Sequence, residues 1–256
     1  MSLLRSNSFD GGSDGVLISP ANSGGASGDA FSAVAGTLPK FSNAQAHTPG
    51  LGMRIVDPAS AALPHQVEWT GLGSLTTAVY LRWYVYLTGY PVTERAYMID
   101  LRTAAAAQCG FLRLFVTSGF VSAADATNSG FGADGSVSPA LNKWVRIEAR
   151  IVPSTTAGEL QWRLFNNPES GTPSDASASH TGLTLGANID AVRFGITTGA
   201  AAPANPFTIL FDDVAVGTGD WIGPTVAGPG TARNRSARMA RSRYARSFDR
   251  RRRMLA

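Results

Sequence analysis

Phe207-Thr-Ile-Leu-Phe-Asp-Asp-Val-Ala-Val-Gly217 reads as one long strand with two adjacent carboxylates at its centre. Aspartate is depleted from strand interiors because a carboxylate desolvates badly there. A strand that carries two is an exposed edge or part of a site. Trp221-Ile-Gly-Pro224 follows as a turn and an aromatic plug, and beyond Pro229 the chain changes character.

Upstream of this strand the period-2 pattern recurs. In Ala78–Leu87, Val79, Leu81, Trp83, Val85 and Leu87 share one face, and Tyr80, Arg82, Tyr84 and Tyr86 share the other. Between Lys143 and Val152, Val145, Ile147, Ala149 and Ile151 alternate with Trp144, Arg146, Glu148 and Arg150. Leu160, Trp162 and Leu164 repeat the pattern, as do Val192, Phe194 and Ile196. Arg95–Leu101 and Cys109–Thr117 add two strands around a short alanine run, Ala104–Ala107, too short to found a helix.

Turn residues separate these runs, as in Thr88-Gly-Tyr-Pro91 and Asn166-Asn-Pro168. No amphipathic helix of about 10–15 residues lies between strands, which argues against βαβ units. The pattern predicts an all-β fold, an antiparallel sandwich of two sheets over about residues 8–224. Residues 1–50 are rich in Gly, Ser, Ala and Asn. Their apolar pieces Val16–Ile18, Phe31–Val34 and Phe41 predict short strands and ordered loops.

The 256 residues are 44% hydrophobic and 16% charged, a globular composition. The net charge of +4 is segregated. Residues 231–256 carry Arg233, Arg235, Arg238, Arg241, Arg243, Arg246, Arg250, Arg251, Arg252 and Arg253 against one acid, Asp249, a net of +9. The remaining 12 basic and 17 acidic residues leave the body at −5. The organisation expected is therefore a domain over 1–230 and an arginine-rich arm over 231–256.

With no lysine among the ten, the arm favours bidentate recognition of phosphate or carboxylate. It can neutralise nucleic acid without sequence preference, dock on an acidic protein surface, or solubilise the chain. No signal peptide is visible, and no run of about 18 apolar residues predicts a membrane span. Synthesis in a cytoplasm is expected.

Candidate chemistry is sparse. Cys109 stands alone and reads as a small buried hydrophobe. His47, His65 and His180 lie in loop-like stretches without a nucleophile motif. Asp212 and Asp213, as strand neighbours, are expected on opposite faces, and Glu148 is alone on its strand. Asp212 or Asp213 can tie the last strand to the Asp10–Asp14 turn in two ways. One is a structural Ca²⁺ held with Asp10, which needs about six to eight oxygens. The other is hydrogen bonding to backbone N–H groups. Tyr80, Tyr84 and Tyr86 form either a sugar- or partner-binding face or a face covered by other parts of the chain.

The order of elements resembles the concanavalin A-like lectin/glucanase jelly roll in its laminin-G-like versions. The residues that carry this are Phe9-Asp-Gly-Gly-Ser-Asp-Gly15, Val79–Leu87, Asn142–Arg150 with Glu159–Phe165, and Phe211-Asp-Asp-Val-Ala-Val216. Together with Gly219-Asp-Trp-Ile-Gly-Pro224, the closing strand resembles virion proteins of tailed bacteriophages infecting actinobacteria. That resemblance implies a non-enzymatic virion structural protein, a capsid decoration or minor tail protein made in the host cytoplasm. It would be homo-oligomeric in the particle and tethered through its arm to acidic virion proteins. A glycan-binding lectin-like module for host sugars is the alternative, and a degenerate glycoside hydrolase the second. Glucanases of this fold place two carboxylates on one strand, about 5–5.5 Å apart in retaining enzymes. The sequence has no such pattern, so no enzyme is expected.

Overall fold

Strands alone, fifteen of them and no helix among the described residues, form the framework of the computed structural model, which describes residues 1–47, 50–56, 64–91, 95–115, 118–127, 135–197 and 207–225. They are β1 (Ser2–Asn7), β2 (Ala33–Ala35), β3 (Lys40–Ser42), β4 (Gly52–Val56), β5 (His65–Trp69), β6 (Val79–Leu87), β7 (Ala96–Arg102) and β8 (Gln108–Leu114). The chain continues through β9 (Val121–Asp125), β10 (Trp144–Val152), β11 (Gly158–Phe165), β12 (Asp175–Ala176), β13 (His180–Leu183), β14 (Ala191–Ile196) and β15 (Thr208–Thr218).

Two antiparallel sheets result. One has nine strands, with the order β12-β11-β10-β6-β15-β4-β3, and with β1 beside β15 and β13 beside β11. The other has six, in the order β2-β5-β14-β7-β8-β9. The alternation read from the sequence supplies the core. Trp83, Val85, Ile147, Trp162 and Phe211 from the larger sheet join Val67, Leu101, Leu112 and Phe194 from the smaller in one buried cluster. The N-terminal segment belongs to this body. Phe9 stacks on Phe31 and Phe31 on Trp69, which meets Phe194 edge-on. The expected all-β sandwich is thus present. Ala104–Ala107 is a turn, closed by the Thr103 N–H to the Ala107 carbonyl and the Ala106 N–H to the Thr103 carbonyl.

β15 changes neighbour along its length. Its first half pairs with β4, Thr208–Phe211 against Val56–Met53, and its second half pairs with β1, Val214–Thr218 against Asn7–Ser2. The change falls at Asp212-Asp213. On the other side β6 runs past both halves, with Asp212 opposite Tyr84 and Ala215 opposite Arg82. Two residues of β15 therefore face one of β6, which is a β-bulge. Asp213 takes up the extra residue with φ of 45°, in the left-handed region that Asp tolerates better than most side chains.

The residues divide into two units, Met1–Pro224 and Thr225–Ala256. The ten arginines from Arg233 to Arg253 lie outside the described residues. No described helix is long and apolar enough to cross a membrane.

Candidate functional site

The outer face of the larger sheet carries the polar half of each alternating strand in register. One row runs Leu210, Tyr86, Trp144, and the next runs Asp212, Tyr84, Arg146, Phe165. A third runs Ala215, Arg82, Glu148, Arg163, and a fourth Gly217, Tyr80, Arg150, Gln161. Much of this face is covered by the chain itself, since β6 is buried along its whole length.

The tyrosines expected as a contact surface are its floor. Trp221 meets Tyr80 edge-on at 5.6 Å, His47 lies on Tyr84 at 3.9 Å, and Trp144 meets Tyr86 edge-on at 5.7 Å. Tyr84 is fully buried and the other two nearly so. What the face presents outward is the covering groups, among which Trp144, His47 and Trp221 are only partly buried.

His47 is the centre. Its Nδ1 lies 3.1 Å from Asp213 Oδ2, and its Nε2 lies 3.2 Å from Glu169 Oε1. Its backbone N–H donates to Asp212 Oδ2 at 2.9 Å. The expectation that Asp212 and Asp213 point to opposite faces is corrected by the bulge. The left-handed turn at Asp213 rotates its side chain onto the face that Asp212 already occupies, while Val214 takes the core position. His47, which the sequence left in a loop without chemistry, is the residue both acids reach.

Two buried arginines fix the backbone behind these carboxylates. Arg82 donates from Nε and Nη2 to the Asp213 carbonyl, at 3.2 and 3.1 Å, and from Nη1 to the Gly223 carbonyl at 3.3 Å. Arg146 donates to the carbonyls of Pro168 and Ser170, on either side of Glu169. Its guanidinium also stacks on Phe165, 3.8 Å from the ring centroid. Each arginine thus sets the loop or bulge that carries one of the two acids gripping His47.

Glu148 is the one acid of β10. It faces Arg146 Nε at 3.2 Å and lies opposite Arg82 and Arg163 in register. Burial pushes its carboxyl above the usual glutamate range, opposed in turn by Arg146, the Gly223 N–H, Arg163 and Arg82. Burial also lowers Arg82 from the usual arginine range, against the pull of Tyr84, Asp213 and Glu148. Cys109 is buried, with its thiol pushed up to about 12 by burial and then by Asp100.

The acids expected as calcium ligands are engaged in hydrogen bonds. Asp10 accepts the Leu51 N–H at 3.0 Å and the Ser8 hydroxyl at 2.9 Å. Asp212 accepts the N–H groups of His47 and Asp213. The N-terminal turn and the last strand thus each grip the backbone of one short stretch, at Leu51 and at His47. Among the described residues no three His, Cys, Asp or Glu side chains gather as a metal site.

No family model matches the sequence, and no curated protein matches it. The fold does match solved structures. The alginate lyase Aly36B superposes with a TM-score of 0.52 at 13% identity, covering 86% of this chain and 98% of that one. A double mutant of that lyase in complex with alginate tetrasaccharide matches equally. The cellulose induced protein Cip1 superposes with a TM-score of 0.52 at 16% identity, covering 86% of this chain and 99% of that one. These likenesses support the fold, a jelly-roll-like β-sandwich. They overturn two expectations. The matched structures are an alginate lyase and a cellulose induced protein, which corrects the reading as a bacteriophage structural protein. The expectation of no enzyme rested on a missing glucanase carboxylate pair, and a fold that a lyase shares does not support that exclusion. Each likeness is one of fold, across nearly the whole length of the matched chains.

Proposed function

We propose that this chain is a glycan-recognition domain that engages a polysaccharide on the outer face of its larger sheet, at His47 and Trp144. The observation that carries the reading is His47, seated on Tyr84 between Asp213 and Glu169, with Trp144 at its edge, 5.8 Å away. Carboxylates and an imidazole exchange hydrogen bonds with sugar hydroxyls, and a partly exposed indole offers an apolar plate for a sugar ring. Glu169 is 56% exposed, so a ligand hydroxyl can reach or replace its contact with His47. The fold shared with an alginate lyase, an enzyme named for a polysaccharide, supports the reading. The test is binding to a panel of neutral and acidic polysaccharides, with Trp144→Ala as the site variant. Retention of at least one polysaccharide by the wild type, weakened by the substitution, supports the reading.

A second reading is elimination on a uronate polymer, in which His47 Nε2, released from its contact with the exposed Glu169, takes the C5 proton as the C4–O bond breaks and water protonates the leaving oxygen. The imidazole over a tyrosine favours it. Against it, Arg82 and Arg146 are spent on backbone carbonyls and are not free to neutralise a uronate carboxylate. Ultraviolet absorbance of the unsaturated product, appearing with wild type and absent with His47→Gln, would establish this activity.

A further inference from the structure

A cleft of about 330 Å³ lies at the β3–β4 end of the same sheet, lined by Lys40, Arg54, Asp14, Ser42, Leu38 and Val56 among others. Its size falls within the roughly 300–1,000 Å³ typical of small-molecule sites. Lys40 and Arg54 are directly opposed partners on β3 and β4, so their side chains leave the sheet on one face. Neither forms an ion pair with a described carboxylate. Lys40 is exposed and Arg54 half-buried. Two like charges side by side repel, and nothing in the packing of the sheet calls for them. Among the described lining residues Asp14 is the one acid, accepting the Asn43 N–H at 3.0 Å, and Lys40 and Arg54 leave those residues with net positive charge.

The register connects this cleft to His47 and Trp144. Lys40 pairs with Arg54, Arg54 with Leu210, Leu210 with Tyr86, and Tyr86 with Trp144. From Arg54 to Trp144 is three strand spacings, roughly 14 Å, a span that a few linked sugar rings can cover. We propose that the Lys40–Arg54 cleft binds the acidic group of a sugar, a uronate carboxylate or a sulfate ester, so that the glycan this face takes is an anionic one. The inference rests on the proposed function and adds the ligand's charge. Arg54 presents a planar fork for two oxygens and Lys40 a point charge, while Asp14 and Ser42 offer partners for ring hydroxyls. Leu38 and Val56 form an apolar wall.

The test uses the full chain, so that the arginine arm contributes equally to every variant. Binding of oligogalacturonate, a sulfated galactan oligosaccharide and a neutral cello-oligosaccharide is measured by calorimetry. The proteins are wild type, Lys40→Ala/Arg54→Ala and a control that removes two charges away from this face, Arg5→Ala/Arg95→Ala. At least one acidic oligosaccharide should bind wild type and the control alike, and bind the cleft variant about tenfold or more weakly. Preference between the uronate and sulfate arms identifies the acidic group. Equal acidic binding by all three proteins overturns the cleft. Binding of the neutral oligosaccharide alone overturns the charge preference and leaves the glycan reading standing. Failure of every saccharide overturns the proposal, and the glycan reading then loses its support as well.

Discussion

The guanidinium of Arg82 donates twice to the backbone carbonyl of Asp213, at 3.2 and 3.1 Å. That carbonyl belongs to the bulge, where β15 carries one residue too many for the β6 ladder. A carbonyl displaced from a ladder and buried must find another donor. Arg82 supplies it, and so fixes the residue whose carboxylate meets His47.

Arg82→Met should destabilise the fold by about 2–4 kcal/mol, because it takes their donor from the Asp213 and Gly223 carbonyls. Arg163, half-buried over Trp221 at 3.7 Å, serves as the comparison, and Arg163→Met should cost under about 1 kcal/mol. Urea denaturation of both variants checks the difference. Equal losses would mean that Arg82 does not support the bulge.

Asp213 has two separable duties, a left-handed backbone and a carboxylate for His47. Asp213→Gly keeps the first and loses the second. It should stay within about 1 kcal/mol of wild type while glycan binding falls. Asp213→Val loses both and adds a β-branched residue at positive φ, costing about 1–3 kcal/mol more than the glycine variant. If valine proves as stable as glycine, the bulge is not constrained as described.

Glu148 sets a pH dependence. Its carboxyl is raised in the folded state, so between the ordinary glutamate range and that raised value the native protein binds more protons than the unfolded chain. Its contribution to stability is complete below the ordinary range and is lost as pH rises through the window. Glu148→Gln should remove that decline. Denaturation midpoints across mildly acidic to neutral pH, with the same slope in both proteins, would show that the buried carboxyl is not the cause.

What the sequence reveals and conceals follows from the range of the interactions. The strands around Trp83, Ile147, Trp162 and Phe194 are legible because alternation is local and one face of each must enter the core. His47 is not legible. Its neighbours Asp213 and Glu169 are more than a hundred residues away, and nothing in Gln45-Ala-His47 marks it. The shared face of Asp212 and Asp213 is hidden for a related reason. The bulge arises where β15 passes from β4 to β1, a pairing that no local pattern encodes. The tyrosine stripe is visible, yet its cover comes from Trp221, His47 and Trp144, which lie on three separate segments. Likewise, the missing glucanase acids speak only to one chemistry of a fold that serves several.

The central question is whether His47 and Trp144 take a glycan. The deciding measurement is the affinity of wild type and Trp144→Ala for the polysaccharide that the wild type retains best, with thermal stability recorded in parallel. Loss of the half-buried indole should weaken binding about tenfold or more while the domain stays folded. Retention of no polysaccharide by the wild type, or equal affinity in the two proteins, would contradict it.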